Sequence, residues 1–124
     1  LNQETIIQNE ILDFLNRNGV FAFRVNSAGI YDASSGAYRN PGKFSIRGVS
    51  DIIGILPDGR ALFVEVKTAT GKMSKEQKVF IDKVNRCHAV GLRAISASHL
   101  YEQLRGHGYE LRLDGRNASK TEMA

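Results

Sequence analysis

The sequence predicts an α/β domain, a mixed β-sheet flanked by helices, with its elements in the order α-β-β-β-α-β-α-β. Three observations predict it. Segments 4–18 and 74–88 carry apolar residues at helical spacing. Five short runs, rich in β-branched and aromatic residues, are bounded by Gly, Pro, Asn or Ser. Residues 61–96 read as strand, helix, strand, and within one sheet that succession requires a parallel, right-handed crossover.

The first helix, 4–18, places Ile7, Ile11, Phe14 and Leu15 on one stripe and stops at Gly19. The run VFAFRV, 20–25, follows as a strand. Residues 26–50 hold Gly29, Gly36, Pro41, Gly42 and Gly48 without sustained periodicity and read as one long loop, a feature that is often functional. DIIGIL (51–56) and ALFVEVK (61–67) flank the turn signal Pro57-Asp58-Gly59-Arg60 and form a β-hairpin. Both strands are apolar on both faces over most of their length, so they are expected at the centre of the sheet, covered on both sides. Ser74 and Gln77 fit a capping box that opens the second helix, whose apolar face is Phe80, Ile81 and Val84 and which runs to about His88, with Gly91 as its terminator. A strand at 92–96, a short helix at 98–105 and an edge strand at 109–113 complete a single domain, 1–114. Residues 115–124 read as a polar tail.

Composition narrows the function. No apolar run approaches the roughly 20 residues that span a bilayer, so no membrane partner is expected. The opening Leu1-Asn2-Gln3-Glu4 lacks the basic-then-apolar order of a signal peptide. Cys87 is the only cysteine, which rules out an internal disulfide, and His88, His99 and His107 form no zinc pattern with it. That absence fits a reducing, intracellular, cytoplasmic setting. The net charge of +4 is modest but unevenly spread. Arg39, Lys43 and Arg47 lie in a stretch with no acid, and Lys67, Lys72, Lys75 and Lys78 are opposed only by Glu76. Such clusters suit a phosphate-bearing partner; a solvated surface is the plainer alternative.

The chemistry centres on Glu65-Val66-Lys67. Alternate residues of a strand share a face, so Glu65 and Lys67 project together from an otherwise greasy strand. A charged group buried there is costly unless it is paired or meets a metal. Glu-x-Lys alone is a weak signal, and a strand end reaching solvent would explain it. Asp51 changes the balance, because antiparallel pairing brings the start of one hairpin strand to the end of the other. Two carboxylates at one point invite a cation, and Mg²⁺ takes one or two carboxylates readily. The register matters here. A two-residue Asp58-Gly59 turn puts Asp51 and Glu65 on opposite faces. A three-residue loop, with Gly59 left-handed, puts Asp51 opposite Glu65 or Lys67 on the same face. The odd-length loop, or a bulge near Asp51, is therefore expected.

Gly48-Val49-Ser50-Asp51 followed by Glu65-Val66-Lys67, with Arg24-Val25-Asn26-Ser27 before and Ser74-Lys75-Glu76-Gln77 after, resembles the PD-(D/E)XK nuclease superfamily. More narrowly it is similar to the VRR-NUC (virus-type replication-repair nuclease) domain, over roughly residues 4 to 105. Ser50 stands where the superfamily name implies Pro. The resemblance implies a restriction-endonuclease-like core. It implies that Asp51 and Glu65 bind Mg²⁺ or Mn²⁺ together with the Val66 carbonyl, and that Lys67 assists the attacking water. A Glu of the first helix would complete the site. Glu4 is the candidate because it interrupts the apolar stripe, with Gln8 and Glu10 as alternatives; favourable charge at a helix N-terminus would also explain Glu4. Gln77 resembles the glutamine this family places near its site, a role that would compete with the capping box. Arg24, Arg39, Lys43, Arg47, Lys72 and Lys75 are the expected nucleic-acid contacts. Tyr31, Tyr38 and Phe44 could stack on exposed bases or wedge into a junction.

The resemblance implies a metal-dependent DNA endonuclease, structure-specific on branched DNA such as four-way junctions; a homodimer would give it two cuts related by a two-fold axis, and the sequence leaves the oligomer open. A restriction-type or nicking nuclease without junction preference, and a catalytically silent DNA-binding module, are the alternatives.

Overall fold

A computed structural model describes residues 2–25, 30–32, 36–39 and 43–114, with the backbone alone for 30–32 and 37–39. The chain begins with α1 (Gln3–Arg17) and β1 (Phe21–Arg24). A hairpin of β2 (Ile30–Asp32) and β3 (Ala37–Arg39) follows, then β4 (Ile52–Ile55), β5 (Ala61–Val66), α2 (Lys75–Arg86), β6 (Val90–Ala94) and α3 (Ala97–Gly106). The main sheet has the order β1-β4-β5-β6, antiparallel except for the parallel pair β5–β6 that α2 connects. This is the mixed, helix-flanked sheet that the sequence predicts.

Alternation on the strands builds one core. Ile52, Leu62, Val64 and Val66 are fully buried beneath Ile11, Phe14 and Leu15 of α1 and Leu100 and Leu104 of α3. Phe14 meets Tyr101 edge-on across the two helices. The opposite face carries α2, whose Phe80 packs edge-on against Phe63. Gly91 makes that approach possible, since a Cβ there would lie 2.7 Å from a Val84 methyl. Helix α2 does not reach the β1–β4 end of this face. Phe21, Phe23 and Ile55 remain exposed there, so the central position of β4 does not bring the two-sided cover its sequence suggests.

Three local readings are corrected. The 26–50 segment is not all loop: it contains β2 and β3, whose three-residue strands joined near Gly36 (φ 68) are too short to show a period. The second helix ends close to the expected His88, but the left-handed residue that terminates it is His88 itself and not Gly91. His88 takes φ 65, its N–H donates to the Asn85 carbonyl, and the Ala89 N–H donates to that of Val84. This is a Schellman cap with histidine where glycine usually sits. Residues 109–113 form no ladder. Tyr109 and Leu111 are buried as an alternating strand would require, but the backbone of Arg112 bonds the Asn18 side chain at the end of α1. The 115–124 tail lies outside the described residues.

Candidate active site

The β4–β5 hairpin sets the site. The Gly59 N–H donates to the Leu56 carbonyl at 2.8 Å, and the Leu56 N–H donates to the Arg60 carbonyl at 2.9 Å. The loop is therefore three residues, Pro57 to Gly59, with Gly59 at φ 92. Ile52 faces Val64, so the register carries Asp51 to Glu65 on the α2 side of the sheet. Regular pairing stops at this point, and the Asp51 side chain takes over: its Oδ2 accepts the Val66 N–H at 2.8 Å. The Asp51 carbonyl accepts the Val25 N–H at 2.8 Å on the other side. Asp51 is thus fixed to both neighbouring strands.

Glu65 is 1% exposed. Its Oε1 accepts a hydrogen bond from Gln77 Nε2 at 2.8 Å and lies 3.8 Å from the ammonium of Lys67. Its Oε2 is buried without a partner among the described residues. Burial pushes the Glu65 carboxyl up to about 8, with the Asp51 carboxylate beside it adding to the rise. Lys67 pulls in the other direction and Glu4 adds further repulsion. The Glu65 carboxyl thus holds its proton more tightly than an ordinary one, which eases the repulsion from the Asp51 carboxylate. Any hard cation able to displace that proton would meet two oxygen ligands of the right kind, one of them already stripped of water and unpartnered. The Asp51–Glu65 pair thus offers a divalent metal two carboxylate ligands of the kind it takes.

Gln77 performs both of the tasks that looked like rivals. Its Oε1 accepts the Ser74 N–H at 2.8 Å, completing the capping box with the Ser74 Oγ on the Gln77 N–H, while its Nε2 reaches Glu65. A carboxamide has an acceptor end and a donor end, and α2 is aimed so that each is used. Gly48 sets that aim. At φ 82, its Cα lies so close to the first turn of α2 that a Cβ would fall 2.5 Å from the backbone of Glu76.

The other expected site residues are less gathered. Glu4 is half-buried on α1 and acts on Glu65 through its charge. Among the described residues no three of His, Cys, Asp and Glu converge closely enough to hold a metal, so Glu4 stands apart from the Asp51–Glu65 pair. Gln8 and Asn9 of α1 accept hydrogen bonds from Arg24, which ties that guanidinium to the helix. Glu10 is exposed. Lys43, Arg47, Lys72 and Lys75 are exposed; the side chain of Arg39 lies outside the described residues, as do those of Tyr31 and Tyr38.

Arg93 was not singled out from sequence. It sits across from Glu65 in the β5–β6 register, and its guanidinium donates to the carbonyls of Thr68 (3.1 Å) and Gly71 (2.7 Å). It thereby secures the turn that leads from Lys67 into α2. A lone Arg within the apolar run VGLRA was the available signal. Ser50, next to Asp51, is fully buried with no hydrogen-bond partner for its Oγ among the described residues.

Two comparisons with known proteins bear on this chain. The model of the VRR-NUC domain family matches residues 42–98, the stretch that contains Gly48, Asp51, Glu65, Lys67 and Gln77. A solved structure described as a VRR_NUC domain superposes with a TM-score of 0.61 at 20% identity, covering 88% of this chain and 100% of that one. No curated protein matches. The structural likeness carries the fold over nearly the whole chain. The family match is narrower than the expected 4 to 105 and indicates a nuclease-type function.

Proposed function

We propose that this chain is a metal-dependent DNA endonuclease of the VRR-NUC type, hydrolysing phosphodiester bonds with Asp51, Glu65 and Lys67 and acting on branched DNA such as four-way junctions. The observation that carries the reading is Glu65, buried at a strand end with one oxygen unpartnered and an acid and an amine on either side of it. A structural strand end has no use for that combination.

Asp51 and Glu65 would hold Mg²⁺ or Mn²⁺, with the Val66 carbonyl and Glu4 as further ligands implied by the resemblance. Such an ion supplies Lewis acidity at a phosphoryl oxygen and lowers the pKa of water. The chain's own residues do the rest. The Val66 N–H fixes Asp51, and Gln77 fixes Glu65, so neither carboxylate must reorganise. Lys67, only 14% exposed, keeps its ammonium beside Glu65, where it can orient the attacking water and neutralise charge growing on the phosphate. Water attacks phosphorus, the bond to the departing sugar oxygen breaks, and that oxygen takes up a proton. Lys43, Arg47, Lys72 and Lys75 would meet flanking phosphates, with Arg24 and Arg39 as further candidates. A homodimer would place two such sites about a two-fold axis and cover the apolar strip of Phe21, Phe23 and Ile55.

The test is cleavage of linear, nicked, flapped and four-way DNAs with Mg²⁺ or Mn²⁺. Wild type should cut, with a preference for branched substrates, and Asp51→Asn and Lys67→Ala should each lose at least about a hundredfold in rate. A restriction-type or nicking enzyme would cut without junction preference. Binding without cleavage of any substrate would leave a silent DNA-binding module and refute the nuclease.

A further inference from the structure

Residues 43–48 are the part of the long segment nearest the site whose side chains are described, and they present an unusual combination. Phe44 is 98% exposed, the most exposed large apolar residue among those described, and Ile46 is 59% exposed. Phe44 also has φ 66, a backbone conformation that bulky L residues rarely adopt. Among the described residues nothing packs on the ring to offset that conformation, and the ring points outward. Lys43 and Arg47 flank the ring, and no acidic residue occurs from Lys43 to Ser50. The C-terminal end of this segment is anchored, because Gly48 lies directly against the first turn of α2, the helix that presents Gln77 to Glu65.

We propose that Phe44 is a wedge that enters duplex DNA at an unstacked step, such as a nick or the centre of a branch, while Lys43 and Arg47 hold the phosphates on either side. An aromatic ring alone in water gains by stacking between bases, and a continuous duplex offers it no opening. Two cations four residues apart select a polyanion over an apolar protein surface. The proposal rests on the nuclease reading of Asp51 and Glu65 and says how that site would select its substrate. It also fixes a distance. The seven residues from Phe44 to Asp51 span at most about 25 Å. At 3.4 Å per nucleotide along one strand, that places the cut within about seven nucleotides of the wedged step.

The test compares the full chain with Phe44→Ala and Phe44→Trp variants. Each is titrated in EDTA against a continuous duplex and against the same duplex carrying a nick or a four-way branch, with 2-aminopurine beside the interruption. Wild type should prefer the interrupted DNA and raise the 2-aminopurine fluorescence. Phe44→Ala should lose about tenfold in affinity there, lose the fluorescence rise, and bind the continuous duplex as before. Phe44→Trp should retain all three properties. Phe44→Gly, which accepts the positive φ, should lose the preference while remaining folded. The idea is overturned if wild type shows no preference, if Phe44→Ala weakens both DNAs equally or neither, or if Phe44→Ala instead changes the oligomeric state of the DNA-free protein. Adding Mg²⁺ or Mn²⁺ separates the two readings. Cleavage without discrimination by Phe44 sinks the wedge alone, whereas a Phe44-dependent preference without cleavage sinks the nuclease alone.

Discussion

The substitution Glu65→Gln, in protein freed of divalent metal, should make the fold more stable, and increasingly so as pH rises. The carboxyl has an ordinary value of 4.5 and is raised to about 8 in the folded chain, chiefly by burial and by Asp51. Below pH 4.5 it is protonated in both folded and unfolded states and contributes nothing to the pH dependence. Between 4.5 and about 8 the unfolded chain releases the proton and the folded chain keeps it, so folding loses about 1.4 kcal/mol per pH unit. Above 8 both states are ionised and the accumulated cost, at most about 5 kcal/mol, is constant. The substituted carboxamide would keep an acceptor for the Gln77 amide but cannot ionise, so the stability difference between variant and wild type should open through this window and then level off. Urea unfolding in EDTA at a series of pH values reads it directly. Parallel stability profiles for the two proteins would refute the reasoning, because they would mean that Glu65 folds at its ordinary pKa. Mg²⁺ should then restore wild type preferentially, since an ion that binds only the folded state stabilises by mass action and the variant's neutral amide offers it no charge.

Three further outcomes follow from named contacts. Gln77→Ala removes one arm of the capping box and leaves Glu65 Oε1 without its amide partner, so it should cost about 1–3 kcal/mol in urea unfolding and raise the metal concentration needed for half-maximal cleavage about tenfold. Gly48→Ala drives a methyl into the α2 backbone at 2.5 Å, where nothing can yield, and forces a non-glycine residue to φ 82; a loss of roughly 2–4 kcal/mol is expected, measured by denaturant midpoint. His88→Gly should have the opposite sign, stabilising by about 0.5–1 kcal/mol, because the left-handed cap is relieved and the carbonyl that Arg60 binds is kept. Equal thermal midpoints for His88→Gly and wild type would count against that cap assignment.

What the sequence made legible, and what it hid, divides along physical lines. The register of the hairpin followed from wanting Asp51 and Glu65 on one face, and the three-residue loop with Gly59 left-handed supplies it. Periodicity located α1, β5 and α2 because each has enough residues to show one. It failed for β2 and β3, three residues apiece, and Gly91 reads as the terminator of α2 because glycine is the usual left-handed cap. The chain used His88 there and kept Gly91 for close packing against Val84, a choice visible only in three dimensions. The alternation at Tyr109 and Leu111 correctly marked burial but not the partner, which is the Asn18 side chain at a helix end. Gln77 was readable as a cap or as a site residue. That it is both depends on the aim of α2, which rests on Gly48.

The position of the site is also an electrostatic consequence of the topology. Helices α2 and α3 begin just beyond the C-terminal ends of β5 and β6, and α1 runs antiparallel to β1, so all three helices direct their N-termini to the sheet end where Asp51 meets Glu65. Each helix contributes about half a positive charge at that end and half a negative charge at the other. The opposite end is compensated differently: Arg60 donates to the carbonyls of His88 and Ala89 beyond α2. A sheet polarised in this way draws an anionic backbone toward one end before any side chain touches it. The buried acids at that end would repel the same backbone if left uncompensated. Among the described residues Lys67 is the cation paired with Glu65, against the charges of Asp51 and Glu4, so ionising Glu65 there favours a further cation. DNA affinity at fixed ionic strength should accordingly rise when Mg²⁺ replaces an equivalent amount of monovalent salt, even in a Lys67→Ala chain that no longer cuts.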